Sequence, residues 1–138
     1  LLVRPKTLLK VDYGLLLTFV CLFVFTGNIS HIDAVSSALE GLMSWEPMLA
    51  SLGVSQVISN VPAATLLSGF TDDWQGLLVG VDVGGFGTPI ASMASMISLG
   101  FYSKLEGADT MRYLAWFTAA NVAMVAVLVA TYCVMNAR

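Results

Sequence analysis

Apolar residues fill long stretches of the chain, and polar residues collect in short segments between them. The first apolar run, Tyr13 to Ile29, and the last, Tyr113 to Met135, contain no charged residue. A helix needs about 20 predominantly apolar residues to cross the hydrocarbon core of a bilayer. The last run meets that length, and the first approaches it when Asp12 and Ser30 are included. The pattern therefore predicts transmembrane helices over residues 12–30 and 113–135.

Segment 31–40 mixes apolar and polar residues at helical spacing. Ile32, Val35 and Leu39 recur on one face, and polar or charged side chains lie between them. A short helix with one apolar and one charged face is typical of the membrane surface. We therefore expect an interfacial helix over residues 31–40.

The apolar stretch 41–71 is interrupted at Ser59-Asn60-Val61-Pro62. Beyond this break, the arm from Pro62 to Thr71 would reach about 15 Å as a helix, which is half the thickness of a bilayer. Asp72-Asp73 then require a return to water. Such a half-depth arm indicates a re-entrant hairpin, which a membrane tolerates only inside protein or beside a wet cavity.

The stretch 74–102 is interrupted in the same way, at Gly84-Gly85-Phe86-Gly87-Thr88-Pro89. Three glycines and a proline cannot maintain a helical backbone ladder. Apolar residues resume at Ile90, which predicts a broken transmembrane helix. A polar loop from Lys104 to Arg112 then leads to the last span.

The basic residues predict the orientation of these elements. They fall before the first span and before the last one, at Arg4, Lys6, Lys10, Lys104 and Arg112, with a further one at Arg138. Cytoplasmic segments carry the excess of Lys and Arg in membrane proteins. We therefore expect the N-terminal end of this segment to be cytoplasmic, and the hairpin to enter from the outside.

Composition supports a multi-pass protein of the cell membrane in contact with lipid. The 138 residues are 57% hydrophobic and 11% charged, whereas soluble domains carry about 25% charged residues. The absence of any basic run argues against nucleic-acid binding. The residues show no constellation typical of an enzyme, so we expect neither catalysis nor an organic cofactor. Because the sequence begins without Met, we expect it to be part of a longer chain.

The hairpin tip offers ligands for ions. Ser59 supplies a hydroxyl and Asn60 a carboxamide oxygen, which are hard ligands suited to a small cation. The second arm, opened by Pro62, would present free N–H groups that favour an anion. A plain turn between two core helices is the alternative. At membrane depth, unpaired backbone favours the functional interpretation.

The break in the second stretch offers a similar set of groups. Gly84, Gly85 and Gly87 free backbone carbonyls, Thr88 adds a hydroxyl, and Pro89 would open the next half-helix. Two such breaks near the membrane midplane form an ion and substrate site in transporters, although a packing kink is the alternative.

Asp82 is an acid in an apolar run, which is costly in a membrane and therefore seldom without a role. It could bind sodium, carry a proton or cap the break. Equally, it could lie near the interface and satisfy local N–H groups.

Two motifs resemble the C-terminal repeat of the ion transporter superfamily. They are Ser55-Gln56-Val57-Ile58-Ser59-Asn60-Val61-Pro62-Ala63-Ala64 and the segment from Gly80 to Ser95, and the opening Val11 to Phe19 is also similar. Within the superfamily, the nearest match is the citrate-transporter-like and arsenite permease–sodium/proton antiporter group. The resemblance covers nearly the whole chain.

The resemblance implies an all-α membrane fold with two inverted repeats, each holding a re-entrant hairpin and a broken helix. Ser59 and Asn60 match a Ser-Asn-Thr tip that binds sodium and a substrate carboxylate, while Val61 replaces the Thr. Thr88 and Pro89 match the family's broken-helix loop, and Asp82 stands where many relatives have Asn. The expected sodium ligands are Ser59, Asn60, Gly85 and Thr88.

The leading hypothesis is part of a secondary active transporter that moves a small anion, citrate- or dicarboxylate-like, coupled to sodium or protons. Its partners would be the N-terminal repeat of the same transporter, the anionic substrate and a second copy, since homodimers are common in the family. One alternative is a sodium/proton antiporter or an arsenite efflux permease. Another is a non-transporting membrane scaffold or a degenerate transporter fragment.

Overall fold

The computed structural model describes residues 13–137, with the backbone alone at Leu15. Within this range the chain is all-helical, as predicted, with seven α-helices and one short 3₁₀ turn. The helices are α1 (Tyr13–Ile29), α2 (Asp33–Trp45), α3 (Pro47–Ile58), α4 (Asn60–Leu67), α5 (Trp74–Gly84), α6 (Met93–Tyr102) and α7 (Thr110–Asn136), and the 3₁₀ turn is Pro89–Ala91. Asp12, the first residue of the predicted first span, lies outside the described residues.

One helix in the described part of the chain is long and apolar enough to cross a membrane by itself. This is α7, with 27 residues, and the apolar part of it is not buried against the rest of the structure. Residues Leu16–Ile29 of α1 reach the required length only together with α2, which is bent away from them by 92°. A bend this sharp makes α2 a separate arm.

The boundary between α2 and the hairpin lies at Glu46 and not at Gly41. The amphipathic helix, expected over 31–40, continues to Trp45. Glu46 is extended (φ −157°, ψ 96°), because a residue that precedes proline avoids the helical region. Pro47 then occupies the first turn of α3, where its missing N–H has no cost. The two arms of the hairpin are therefore α3 and α4.

Helices α3 and α5 lie against each other with their backbones in close contact. Gly76, Gly80 and Gly84 form a ridge along α5, which we call the glycine ridge. A Cβ atom on Gly80 would lie 2.8 Å from the Cβ of Ser51, and one on Gly84 would lie 2.7 Å from the Cβ of Ser55. Only residues without a side chain permit this approach, as in the small-residue interfaces of membrane helices.

The residues of α3 that meet the glycine ridge are also small and spaced by one turn. Pro47 faces Gly76 in the same order as the two serines face the later glycines, so the helices run parallel. Ser51 and Ser55 are fully buried. The Ser55 hydroxyl donates to the Ser51 carbonyl at 2.8 Å, and the Ser51 hydroxyl donates to the Pro47 carbonyl. Each hydroxyl is thus satisfied within its own helix, and the interface needs no water.

An apolar core surrounds this contact. It consists of Met43 from α2, Ala50 from α3, Ala63 and Leu67 from α4, and Leu77 and Val81 from α5. Helix α4 also contacts α1. The hairpin therefore lies at the centre of the structure.

A leucine at position 80 should force α3 and α5 apart, because its side chain would occupy the space of the Ser51 side chain and the Met48 backbone. We expect Gly80→Leu to lower the free energy of unfolding of the full-length protein in detergent by about 1–3 kcal/mol. Gly53→Leu is the matched control, since a Cβ on this α3 residue meets no atom within 4 Å. Equal losses in the two variants would contradict the packing described here.

Candidate functional site

The hairpin tip and the helix break meet at one junction. The parallel helices α3 and α5 end at Ile58 and Gly84, and the packing of the glycine ridge aligns these two ends. The Ser59 hydroxyl donates to the Ala91 carbonyl oxygen at 3.3 Å. The carboxamide nitrogen of Asn60 lies against Gly85, 3.0 Å from where a Cβ would be. The two motifs that the sequence singled out are therefore neighbours.

The backbone of Ser59 is in an unusual conformation. Its φ of 73° and ψ of 152° make it the only residue other than glycine with positive φ in residues 13–137. Its N–H still donates to the Ser55 carbonyl at 3.1 Å, and its carbonyl accepts the Ala63 N–H at 3.0 Å. Such a conformation costs about 1–3 kcal/mol in a residue with a side chain, and is most frequent at functional sites.

Gln56 connects α3 to the loop after α5, although its place in the first motif did not indicate a role for its side chain. Its Nε2 donates to the carbonyl oxygens of Gly84 at 2.8 Å and Phe86 at 3.0 Å. Its Oε1 accepts the Thr88 N–H at 2.9 Å, and its backbone carbonyl accepts the Thr88 hydroxyl at 3.1 Å. The available signal was a carboxamide in an apolar arm, since a buried polar group requires partners.

The loop itself is shaped around Gln56. Gly87 has a φ of 107°, a conformation that glycine adopts readily, and a side chain at this position would collide with the Gln56 carboxamide. We expected Pro89 to open the next half-helix, and this was wrong. Pro89 begins a 3₁₀ turn, and α6 starts at Met93. Ser92 sets this start, because it is extended and its hydroxyl accepts the Ala94 N–H at 3.2 Å.

The start of the second hairpin arm also differs from the prediction. Helix α4 begins at Asn60, so Pro62 is its third residue and is buried. The N–H groups of Asn60 and Val61 have no partner in the described part of the chain. Val61 is 43% exposed, and its apolar side chain offers no hydrogen bond to a ligand.

All four residues expected to bind sodium lie at the junction. The hydroxyls of Ser59 and Thr88 each donate one hydrogen bond and keep their acceptor lone pairs. The side chain of Asn60 and the carbonyl of Gly85 have no hydrogen-bond partner among the described residues. No group of three His, Cys, Asp or Glu side chains in residues 13–137 could hold a metal ion. A cation here would therefore be held by neutral oxygen atoms.

Asp82 lies one turn before the break, on the face of α5 that points away from α3. Its side chain is exposed and makes no hydrogen bond to a described residue, so it does not cap the break. The Asp82 backbone carbonyl contributes instead, by accepting the Gly85 N–H at 3.2 Å. The structure thus separates Asp82 from the contacts between tip and loop.

An apolar cavity of about 300 Å³ flanks the junction on the side of α1. Its lining includes Phe25 and Thr26 from α1, Pro62 from α4 and Met93 from α6, with Ser59 at its edge. This side of the junction therefore presents few polar groups.

Comparison with known proteins identifies relatives in membranes. The chain is 41% identical over 90 residues to an uncharacterized transporter of Methanocaldococcus jannaschii, an alignment that covers 65% of this chain and 26% of that protein. It is 36% identical over 101 residues to the inner membrane protein YbiR of Escherichia coli, which covers 71% of this chain and 27% of that protein. No family model and no solved structure matches the chain.

These similarities support a membrane location and a role in membrane transport. The chain spans about a quarter of the length of the curated relatives it matches. The described helices therefore correspond to one part of such a protein.

The strain at Ser59 predicts different outcomes for two substitutions. The free energy of unfolding of Ser59→Gly should lie within about 1 kcal/mol of the wild-type value. The relief of backbone strain at this position offsets the lost hydrogen bond to Ala91. Ser59→Val should be destabilised by about 1–3 kcal/mol, since a β-branched residue is strained at positive φ. Chemical unfolding of the full-length protein in detergent measures both.

Ser68→Val is the control for this pair, because Ser68 ends the same arm with ordinary helical angles (φ −60°, ψ −21°). A Ser59→Val protein as stable as the Ser68→Val protein would rule out strain at the tip.

Proposed function

We propose that this chain is part of the C-terminal repeat of a secondary active transporter that moves a small anion, citrate- or dicarboxylate-like, coupled to sodium or protons. One observation carries the proposal: two helix breaks of separate segments meet, with Ser59 bonded to Ala91 and Asn60 against Gly85. Paired breaks near the midplane are where transporters bind ions and substrate.

The oxygen atoms at the junction suit a small monovalent cation. Asn60 and Gly85 each present an oxygen that accepts no hydrogen bond in the described structure, and Ser59 and Thr88 add hydroxyl lone pairs. Hard cations prefer such oxygen ligands. Because the set is neutral, a bound sodium ion would leave a net positive charge, which an anionic substrate would balance.

The start of α4 supplies groups for that anion. The N–H groups of Asn60 and Val61 are free in the described structure, and they lie at the positive end of the helix dipole. A substrate carboxylate would accept from these two N–H groups. Val61 carries no hydroxyl, so the contact would depend on the backbone more than on this side chain.

The close packing of α3 and α5 gives a mechanism for alternating access. Tip and break are tied together by hydrogen bonds and by the glycine ridge, so they would move as one body relative to α1 and α7. The N-terminal repeat would supply the other half of the site, and a second copy would complete a homodimer. The N-terminal end of this segment would face the cytoplasm, following the basic residues.

Replacement of Asn60 by Ala in the full-length transporter should remove one cation ligand and weaken ion-dependent uptake. A lost hydrogen-bonding ligand is worth about 1–3 kcal/mol, which corresponds to a decrease of about 5- to 150-fold in apparent ion affinity. Uptake of labelled citrate, succinate and malate into proteoliposomes, titrated with sodium and with protons, measures this.

Asn121→Ala is the control, because among the described residues the Asn121 side chain donates only to Phe117 of its own helix, at 2.7 Å. If Asn60→Ala keeps the apparent ion affinity of the wild type during uptake of every transported substrate, Asn60 does not belong to the cation site.

Asp82 favours a second candidate function, a sodium/proton antiporter or an arsenite efflux permease. Its carboxylate is exposed and has no partner among the described residues, one turn before the break. An acid within a membrane segment is a candidate proton carrier. Under this alternative, Asp82→Asn should keep transport but abolish its pH dependence, while Glu106→Gln, in an exposed loop, should retain it.

A further inference from the structure

We propose that Gln56 is a positioning residue that holds the break loop without an ion and thereby decides which carbonyl oxygens remain for the cation. The inference rests on the cation-coupled function proposed above. The observation behind the inference is that the Gln56 carboxamide makes three hydrogen bonds to one loop, with Gly84, Phe86 and Thr88.

The carboxamide of Gln56 uses both of its donors and one of the two acceptor lone pairs on its oxygen. It has two N–H donors and one carbonyl acceptor. The short donor contacts go to Gly84 at 2.8 Å and Phe86 at 3.0 Å, and the acceptor takes the Thr88 N–H at 2.9 Å. A longer contact of 3.3 Å to Leu52 lies within its own helix. No other side chain in residues 13–137 makes more than one hydrogen bond to this loop.

The carbonyl groups around the break divide into two sets. Those that accept a hydrogen bond belong to Val81, Asp82, Val83, Gly84, Phe86 and Thr88. Those of Gly85, Gly87 and Pro89 accept none from the described residues. Without Gln56, the carbonyls of Gly84 and Phe86 would join the second set. Gln56 therefore reduces the number of oxygens that compete for a cation.

The side-chain N–H groups of Gln56 take the place of a cation at the carbonyl oxygens of Gly84 and Phe86. They carry partial positive charge and approach both oxygens within hydrogen-bond distance. In a site of low dielectric constant, carbonyls without such a partner are strongly unfavourable. Because the Gln56 side chain supplies these N–H groups, the loop is ordered before a cation arrives, and the Gly85 carbonyl oxygen is positioned in advance.

Hydrogen exchange in the full-length protein tests the positioning role without any transport assay. In wild type, the Thr88 amide should be equally protected in sodium chloride and in N-methylglucamine chloride. In Gln56→Leu, its exchange should accelerate about tenfold or more in both salts, the equivalent of one lost hydrogen bond. In Gln56→Glu, protection should be low in N-methylglucamine, because a carboxylate cannot donate to the Gly84 and Phe86 carbonyl oxygens and repels them. Sodium should restore the protection, because a carboxylate and two carbonyls can hold the ion.

Two internal references make this experiment interpretable. Gln75→Leu changes an exposed glutamine of the same broken helix and should leave Thr88 as in wild type. The Gly84 amide, within α5, should stay protected in every variant and so reports that the fold is intact.

Uptake in proteoliposomes tests the effect on the cation. In Gln56→Leu, the half-saturating sodium concentration should change by about tenfold, while the maximal rate stays within about twofold of wild type. A purely structural role would instead lower the maximal rate together with the protection of Gly84.

Three results would overturn the proposal. Sodium-dependent protection of Thr88 in wild type would mean that the ion holds the loop. Wild-type protection in Gln56→Leu would mean that Gln56 does not hold it. Loss of Thr88 protection in Gln56→Leu without a change in the half-saturating sodium concentration would mean that Gln56 does not affect which oxygens bind the cation. A wild-type protein without cation-dependent uptake refutes the proposed function instead, and the exchange data still decide whether Gln56 holds the loop.

Discussion

The contact between the glycine ridge of α5 and the small residues of α3 is the constraint on which the rest of the structure depends. Gly80 and Gly84 bring the two backbones so close that a single Cβ atom would overlap Ser51 or Ser55. Close contact of this kind fixes the register of parallel helices, because a slip of one turn moves every residue by about 5.4 Å. The breaks after Ile58 and Gly84 lie at the same level for this reason, and a slip would carry Gln56 beyond the reach of its partners.

At the junction, the polar groups of the two breaks are satisfied largely by each other. Thr88 donates two hydrogen bonds to Gln56, one from its N–H and one from its hydroxyl, and the Ser59 hydroxyl donates to the Ala91 carbonyl. Such a network is strong where water is excluded. It also explains why the strained backbone of Ser59 persists, since contacts on both sides of it are fixed. The oxygens of Asn60 and Gly85, which this network leaves unused, distinguish the junction from a simple packing turn.

The sequence predicted the helical character and both break motifs, because glycine, proline and changes of polarity act locally. It also placed Ser59, Asn60, Gly85 and Thr88 in one site, through the resemblance and the rule for paired breaks. Local rules failed at Pro89 and Pro62, where neighbouring residues set the helix starts. Ser92 caps α6, and α4 begins directly after Ser59.

The role of the Gln56 side chain could not be predicted from the sequence for a different reason. Its partners, such as Gly84 and Thr88, are about thirty residues away along the chain, and the register between α3 and α5 brings them together. The glycine spacing at 76, 80 and 84 is visible in the sequence, but its partner helix is not. A tertiary contact therefore decided the identity of the residue that orders the loop.

Cross-linking in native membranes tests most directly whether the two breaks form one cation-binding junction. The double variant Asn60→Cys and Gly85→Cys, with Cys21 and Cys133 changed to serine, should form a disulfide readily under mild oxidation. Pairing Asn60→Cys with Gly100→Cys, in α6, should not. Sodium at a saturating concentration should slow formation of the first disulfide relative to N-methylglucamine, because an ion held by the Gly85 carbonyl and the hydroxyls of Ser59 and Thr88 would still lie between the two positions. Equal cross-linking of the two pairs, or a rate for the first pair that does not respond to sodium, would contradict the account.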